Sequence, residues 1–318
     1  MLSLDFSRCG RKRRMSGFLV SMEGAVSQGI VWGIMVLGVY ITYKILDIAD
    51  LTVDGSFALG SVVCALLIVK YEMNPLLAAL IAGGAGMLAG AATGFLHTVC
   101  EIPAILAGIL TQLGLWSVNL RILDGASNMP ILKKETLFTG WVESTGMNQA
   151  TVVMILGLII AVVVIILLYW FFGTEVGAAL RATGNNEDMI RALGVNTKGT
   201  KMLGLMISNG LVGLSGGLVA QMNKYGDINS GVGAIVVGLA AIVIGEVLMG
   251  RLISFGSKLS SAIVGSVLYF VIRAVVLRLG MKANDMKLFS AVFVAVALSV
   301  PVLIQKWRLK RSYVEGDK

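Results

Sequence analysis

Apolar segments alternate with polar connectors along the chain, and they read as Gly24–Leu46, Leu51–Val69, Pro75–Leu96, Pro103–Leu120, Ala150–Phe172, Met202–Met222, Val232–Met249, Leu259–Leu279 and Leu288–Ile304. A helix needs about 20 predominantly apolar residues to cross a hydrocarbon core of roughly 30 Å, so the pattern predicts an all-α polytopic membrane protein with about nine transmembrane helices, in a range of about eight to ten. The clearest segment, Ala150–Phe172, carries no charge and ends in an aromatic cluster suited to a membrane interface. The second begins inside "DIADLTVDGSF", where Asp47, Asp50 and Asp54 interrupt the apolar run and predict a broken or half-length helix. "DLTVDGSFALGSVVCALL" and "DINSGVGAIVVGLAAIVIG" share an acidic start, a small-residue turn and a glycine-punctuated apolar run. The shared pattern predicts two inverted halves with a discontinuous helix in each.

Glycines fall in register on several segments. Gly86, Gly90 and Gly94 form two overlapping G-x-x-x-G steps, and Gly29 with Gly33 and Gly213 with Gly217 form two more. In lipid, apolar burial between helices gains little, so such ridges predict close backbone packing. Composition agrees with the pattern: 57% of residues are hydrophobic and only 14% charged, against about 25% in soluble domains, and mean hydropathy is +0.86. Cys9, Cys64 and Cys100 form no C-x-x-C pair and indicate neither a disulfide framework nor a zinc site. His97 is the single histidine, with Glu101 as the only nearby carboxylate, which argues against metal binding.

The net charge of +8 lies in tails and loops rather than along one folded face, so it reports orientation and not nucleic-acid binding. Arg181, Arg191, Lys198 and Lys201, then Arg251 and Lys258, then Lys306, Arg308, Lys310, Arg311 and Lys318 place three connectors and the C-terminus in the cytoplasm. The polar connection Asp124–Gln149 then falls outside. With nine spans the N-terminus is also outside, which conflicts with the basic run "RCGRKRR"; a count different by one, or a start at Met15 or Met22, removes the conflict. The organisation is thus a basic tail over residues 1–21, one membrane domain over 22–304 with a polar connector over 173–201, and a basic tail over 305–318.

That connector is too long to be a turn. Within it "NNEDMIRALG" has the marks of a short helix: Asn186 at the N-cap, Glu187 and Asp188 in the first turn, Arg191 near the end, and Gly194 at the left-handed stop. Met189, Ile190 and Leu193 then share one apolar face, for which two readings are open: contact with lipid headgroups, or docking of a cytoplasmic partner. A helix this short needs something to pack on. "GVNTKGTK" mimics a phosphate-binding loop, but Thr200 separates Gly199 from Lys201 and no strand precedes it, so no nucleotide site is predicted in this chain.

These residues carry a resemblance. "GAALRATGNNEDMIRALGVNTKGTKMLGLMISNGLVGLSGGLVAQ" resembles the cytoplasmic loop and following helix of inner-membrane permeases of ABC importers in the branched-chain amino acid and ribose class, with Arg181, Gly184, Asn186, Arg191, Gly194, Lys201, Ser208, Gly213 and Gly216 on the pattern. "ADLTVDGSFALGS" and "GFLHTVCEIPAILAGILTQLG" are similar to two further family segments, except that Asp54 is inserted before Gly55 and His97 stands where asparagine is usual. Both departures look like the branch that includes permeases assigned to tryptophan or related amino acids. The resemblance implies that the connector is a coupling loop (Arg181, Gly184, Asn186, Met189, Ile190, Arg191, Leu193, Gly194) seated on a separate ATPase that holds the ATP and magnesium. It also implies an external substrate-binding protein on the outer loop, a second permease copy, and a plasma or inner membrane location.

Polar residues inside apolar segments cost free energy unless they face a cavity or a partner. On that ground Asp50, Thr52, Asp54, Ser56, Thr111, Gln112, Asn119, Asn209 and Glu246 are the candidates for a translocation path. Asp54 has a second reading, as the residue that holds a helix break together. Arg273 is expected to pair with a carboxylate such as Glu246 or to snorkel outward. The rival function is an ion-coupled secondary transporter with Asp54 and Glu246 as ion sites.

Overall fold

The computed structural model describes residues 3–132, 134–249 and 254–282, with side chains from residue 20, and residues 285, 288–292, 294–296 and 299. Among the described residues, seven helices are long and apolar enough to cross a membrane. The first is α1 (Ser3–Tyr40), extended by a π-helical turn over Ile41–Ile45; its membrane-crossing part is Val20–Ile45. The others are α2 (Thr52–Lys70), α3 (Pro75–Thr98), α4 (Ala104–Ile122), α6 (Gln149–Gly173), α9 (Thr197–Asn223) and α11 (Phe255–Arg278). A shorter apolar helix, α10 (Ala234–Met249), corresponds to an eighth segment of the sequence pattern. Of the ninth segment, Leu288–Ile304, residues 293, 297, 298 and 300–304 lie outside the described residues.

At one end, Glu175–Asn185 (α7) and Glu187–Ala192 (α8) form the polar connector between α6 and α9. At the opposite end, strand Asn128–Pro130 (β1) pairs antiparallel with Tyr225–Asp227 (β2), in register Asn128 to Asp227, and the helix Leu137–Thr145 (α5) covers the loop. Thr136 starts α5 with a reciprocal capping box to Thr139, and Gly146 ends it at φ 66°.

The helices are assembled by backbone contact, as the glycine register predicts. Along α3, Gly86 and Gly90 face the carbonyls of Asn209 and Leu205, and Gly94 faces Met202, so α3 lies flat on α9. Gly29 and Gly33 of α1 lie on Val267 and Ile263 of α11. Gly60 of α2 meets Gly213 of α9, which is also pressed against the Ala82 carbonyl and Gly86 of α3. Three helices therefore meet around residue 213, where a side chain on any of these glycines would separate them. Apolar residues sealed inside include Ile34, Met35, Leu37, Phe57, Leu205 and Val212, while Leu158, Ile166, Leu167 and Trp170 of α6 face outward.

The sequence "DIAD" does not interrupt a span. The irregular residues connect α1 to α2, with Asp47 at φ 54°, and α2 then runs unbroken. Asp50 makes this possible, because its Oδ1 accepts from the Thr52 amide at 2.9 Å and satisfies one of the donors exposed at the start of α2.

Candidate functional site

The polar connector is built as an element with its own fastenings. The Thr174 hydroxyl accepts from the Gly177 amide and starts α7, and Asn186 Oδ1 accepts from the Met189 amide at 3.0 Å and starts α8. Gly194, at φ 84°, stops it, and Asn196 Oδ1 accepts from the Gly199 amide to start α9. The segment resembling a phosphate loop is therefore the N-terminal cap of a membrane helix. Arg191 donates to Glu187 at 2.7 Å, and Lys201 donates to the other oxygen of the same carboxylate. The hydrogen bond from Lys201, with the neighbouring positive charge, holds the Glu187 carboxyl below its ordinary range.

That coupling predicts the acid behaviour of the element. A carboxylate whose folded value is depressed contributes its stabilisation above the ordinary value of 4.5 and loses it as pH falls through the lower folded value. Amide exchange in α8 is expected to be flat from neutral pH down to that range and to accelerate below it. Glu187→Gln is expected to remove the pH dependence.

Of the three apolar residues read as one face, Ile190 turns inward and is buried, whereas Met189 and Leu193 are 48% and 72% exposed. Tertiary packing divides the face: one residue anchors α8 to the protein and two remain available. Arg181 lies over the Phe255 ring at 5.4 Å from its centroid. Gly184 lies so close to the Ile45 carbonyl and Leu46 that any side chain would overlap them, and Leu180 and Leu46 both reach Gly204. The connector is thereby keyed to the end of α1 and the start of α9. A cavity of about 600 Å³ beside it is bordered by Tyr40, Lys44, Asp47, Arg181, Gly184 and Lys258.

The intramembrane polar candidates fall into separate groups. Asn209 Nδ2 donates to Asp50 Oδ2 at 2.7 Å, and Ser56 Oγ donates to Asn209 Oδ1 at 2.7 Å. Thr52 Oγ1 bonds Thr93 Oγ1 at 2.6 Å, so Asp50, Thr52, Ser56 and Asn209 form one buried junction of α2, α3 and α9. Asp54 accepts from the amides of Gly233 at 2.9 Å and Ile235 at 3.0 Å, which makes it the cap of α10. Negative charge at a helix N-terminus is favoured by the dipole and by the unsatisfied donors there. Gly231 is in backbone contact with the Asp54 carbonyl, so the two acid-started segments of the sequence meet at this point. On α4, Thr111 bonds its own helix at Ala107, Gln112 faces Gly55, and buried Asn119 keeps Oδ1 without a partner among the described residues.

Glu246 pairs with Lys44 at 3.0 Å at the connector end, and Arg273 instead lies over Phe270 at 5.7 Å from its centroid. The pairing expected between Arg273 and Glu246 does not form, because α10 and α11 run antiparallel with Gly245 against Ser261. Arg273 is twelve residues further along α11, about 18 Å at 1.5 Å per residue.

Asp54→Ala is expected to lower stability by about 2–3 kcal/mol, since two helix-end amides lose their acceptor, with a fall in detergent melting temperature that Asp54→Asn partly restores.

A second cavity, of about 420 Å³, opens at the end opposite α8 and is lined by Gln28, Trp32, Asn223, Asp227, Tyr269 and Arg273 among others. None of the nine polar candidates lines it. Its residues come from α1, α2, α9, β2, α10 and α11 and from Ser290 and Ala291, and no single stretch of sequence marks them; the signal available was Arg273, within the largely apolar run "YFVIRAVVLRLG".

A bundle of apolar helices built on glycine contacts, with a self-capped polar element projecting from one end, is the architecture of a polytopic membrane protein. Residues 21–299 match the family described as branched-chain amino acid transport system / permease component, and the chain belongs to that family. It is similar to the tyrosine transport system permease protein of Clostridioides difficile, with 39% identity over 87% of this chain and 91% of that protein. It is also similar to an uncharacterized protein of Rickettsia prowazekii (34% identity, 86% and 95% covered) and to the inner membrane ABC transporter permease protein YjfF of Escherichia coli (26% identity, 67% and 64% covered). No solved structure matches the chain. It is a multi-pass ABC transporter permease, the permease component of a transport system.

Proposed function

We propose that this permease imports a free amino acid in a complex of two permease copies, two cytoplasmic ATPase subunits that hold ATP and magnesium, and an external binding protein. The observation that carries the coupling half of this reading is α8: a capped and ion-paired short helix that exposes Met189 and Leu193 while Gly184 ties the same connector to α1. A partner that grips those two side chains gains leverage on α1 and α9 together. Arg181, Asn186, Ile190, Arg191 and Gly194 hold the shape of the grip. The amino-acid assignment is supported by the family description and by the tyrosine permease relative, which aligns over nearly its whole length.

At the opposite end, the loop carrying β1 and α5 offers exposed Leu132, Trp141 and Met147 as a landing surface for the binding protein. The positive charges of the α7–α8 connector support a cytoplasmic position for that element, and those of the basic tail after residue 304 support the same side for the C-terminus. Asp54 joins the two acid-started segments and supports the division into two halves with a recessed helix start. The buried junction of Asp50, Thr52, Ser56 and Asn209 serves helix packing, since each of its polar groups is satisfied inside the protein.

Reconstitution tests the proposal. The chain alone in liposomes is expected to take up no L-tyrosine under a proton or sodium gradient. With its ATPase and binding protein, and ATP supplied on the ATPase side, uptake is expected. Gradient-driven uptake by the chain alone would establish the secondary-transporter reading in its place.

A further inference from the structure

Arg273 raises a question of charge balance. An arginine in a membrane helix is costly unless it meets a carboxylate or faces a water-filled space. Among the described residues no carboxylate lies in ion-pair range of its guanidinium, which instead rests over Phe270. Phe270 in turn packs on Trp32 with centroids 5.4 Å apart, and Trp32 on Phe57 at 4.7 Å, so the arginine stands on a stack of rings that fixes its position. It borders the 420 Å³ cavity at the end opposite α8, a volume within the range of small-molecule sites.

The same cavity contains a group of opposite charge. Asp227 Oδ1 accepts from the amide and side chain of Asn229 at 2.9 and 3.3 Å, which leaves Oδ2 without a hydrogen bond among the described residues. Trp32 contributes an indole N–H that has no partner among the described residues, and the rings of Trp32 and Tyr269 supply apolar wall. A fixed cation, an acidic residue with a spare oxygen and aromatic walls in one cavity match a zwitterion with an apolar body.

We infer that this cavity is a substrate site on the permease itself, in which Arg273 takes the carboxylate and Asp227 the ammonium group of a free α-amino acid with an aromatic or large apolar side chain. The inference rests on the amino-acid importer reading and adds to it a selective site in the membrane subunit, beyond whatever choice an external binding protein makes. Substrate would reach this site before any helix movement driven from α8. Arg273, which has no carboxylate in ion-pair range among the described residues, would be neutralised while substrate is bound.

The test uses the full chain in lipid nanodiscs and radiolabelled L-tyrosine as probe, with two competitors: tyramine, which lacks the carboxylate, and 4-hydroxyphenylpropionate, which lacks the ammonium group. Saturable binding is expected, with each competitor weaker than L-tyrosine by about tenfold or more, because each leaves one charged group of the cavity unanswered. Arg273→Gln is expected to lose binding and Arg273→Lys to retain part of it. Asp227→Asn is expected to weaken L-tyrosine while leaving 4-hydroxyphenylpropionate unchanged. Equal competition by tyramine and L-tyrosine on the unmodified chain overturns the inference without any variant, as does an absence of saturable binding at about 1 mM. ATP-driven uptake by the assembled complex is read separately, so its persistence in that event would leave the importer reading standing while the site falls.

Discussion

Replacing Met189 and Leu193 together by aspartate is expected to abolish ATP-driven uptake, with a loss of more than about tenfold, while the permease still folds and inserts. Met189 on α8 and Leu193 at its C-cap are both exposed, so the permease itself loses little by the change. An apolar docking surface given two charges must desolvate them on contact, and desolvated unpaired charge costs several times the roughly 1.4 kcal/mol that corresponds to a tenfold change in affinity. ATP hydrolysis by the partner is expected to become insensitive to the permease. Ile190→Asp is the instructive contrast: Ile190 is buried, so that change is expected to damage the connector itself and to appear as faster amide exchange in α8. An unaltered uptake rate in the Met189/Leu193 double variant would remove α8 from the coupling pathway.

The second large effect concerns the fold. Gly60→Val is expected to prevent stable assembly of α2 on α9. A Cβ at residue 60 would sit 2.6 Å from both the Cα and the carbonyl carbon of Gly213, and backbone atoms cannot rotate away as a side chain can. Gly213 is itself held against Ala82 and Gly86, so relief in one direction is blocked by α3. The cost is expected at the upper end of the roughly 1–3 kcal/mol typical of overpacking, or beyond it, against a total stability of about 5–15 kcal/mol. Gly84→Val, at a position with nothing within 4 Å, is the control and is expected to leave the melting temperature in detergent nearly unchanged. Equal melting temperatures for the two variants would contradict the packing described for residue 213.

Much of this architecture could be read along the chain. Apolar length locates the spans because the bilayer fixes how long a helix must be. Glycine spacing anticipates which faces meet, and Gly86, Gly90 and Gly94 do lie on α9. The ends of α8 were legible because capping is a local property: Asn186 and Gly194 do what their chemistry favours wherever they stand. The inward turn of Ile190 was not legible, since helical spacing groups it with Met189 and Leu193 and only the neighbouring helices separate them.

Long-range partners were equally hidden. Glu246 and Arg273 are the natural pair by charge, yet the antiparallel run of α10 and α11 gives Glu246 to Lys44 and leaves Arg273 at the far end. Polarity alone also does not show how such residues are satisfied. Asp50, Thr52, Ser56 and Asn209 satisfy one another at a helix junction, while the residues bordering the cavity of Arg273 are scattered from Gln28 to Ala291. A pattern search along one chain sees the cost of a buried polar group and not the partner that offsets it.

The central claim is that the α7–α8 element faces the cytoplasm and is held there by an ATPase. Cysteine accessibility at Leu193 tests it most directly, in a chain whose Cys9, Cys64 and Cys100 have been replaced. With a membrane-impermeant maleimide, Leu193→Cys is predicted to react in inside-out vesicles and not in intact cells, and its reaction is predicted to be suppressed when the ATPase subunit is bound. Labelling from the outside, or labelling that the ATPase leaves unchanged, would contradict the account.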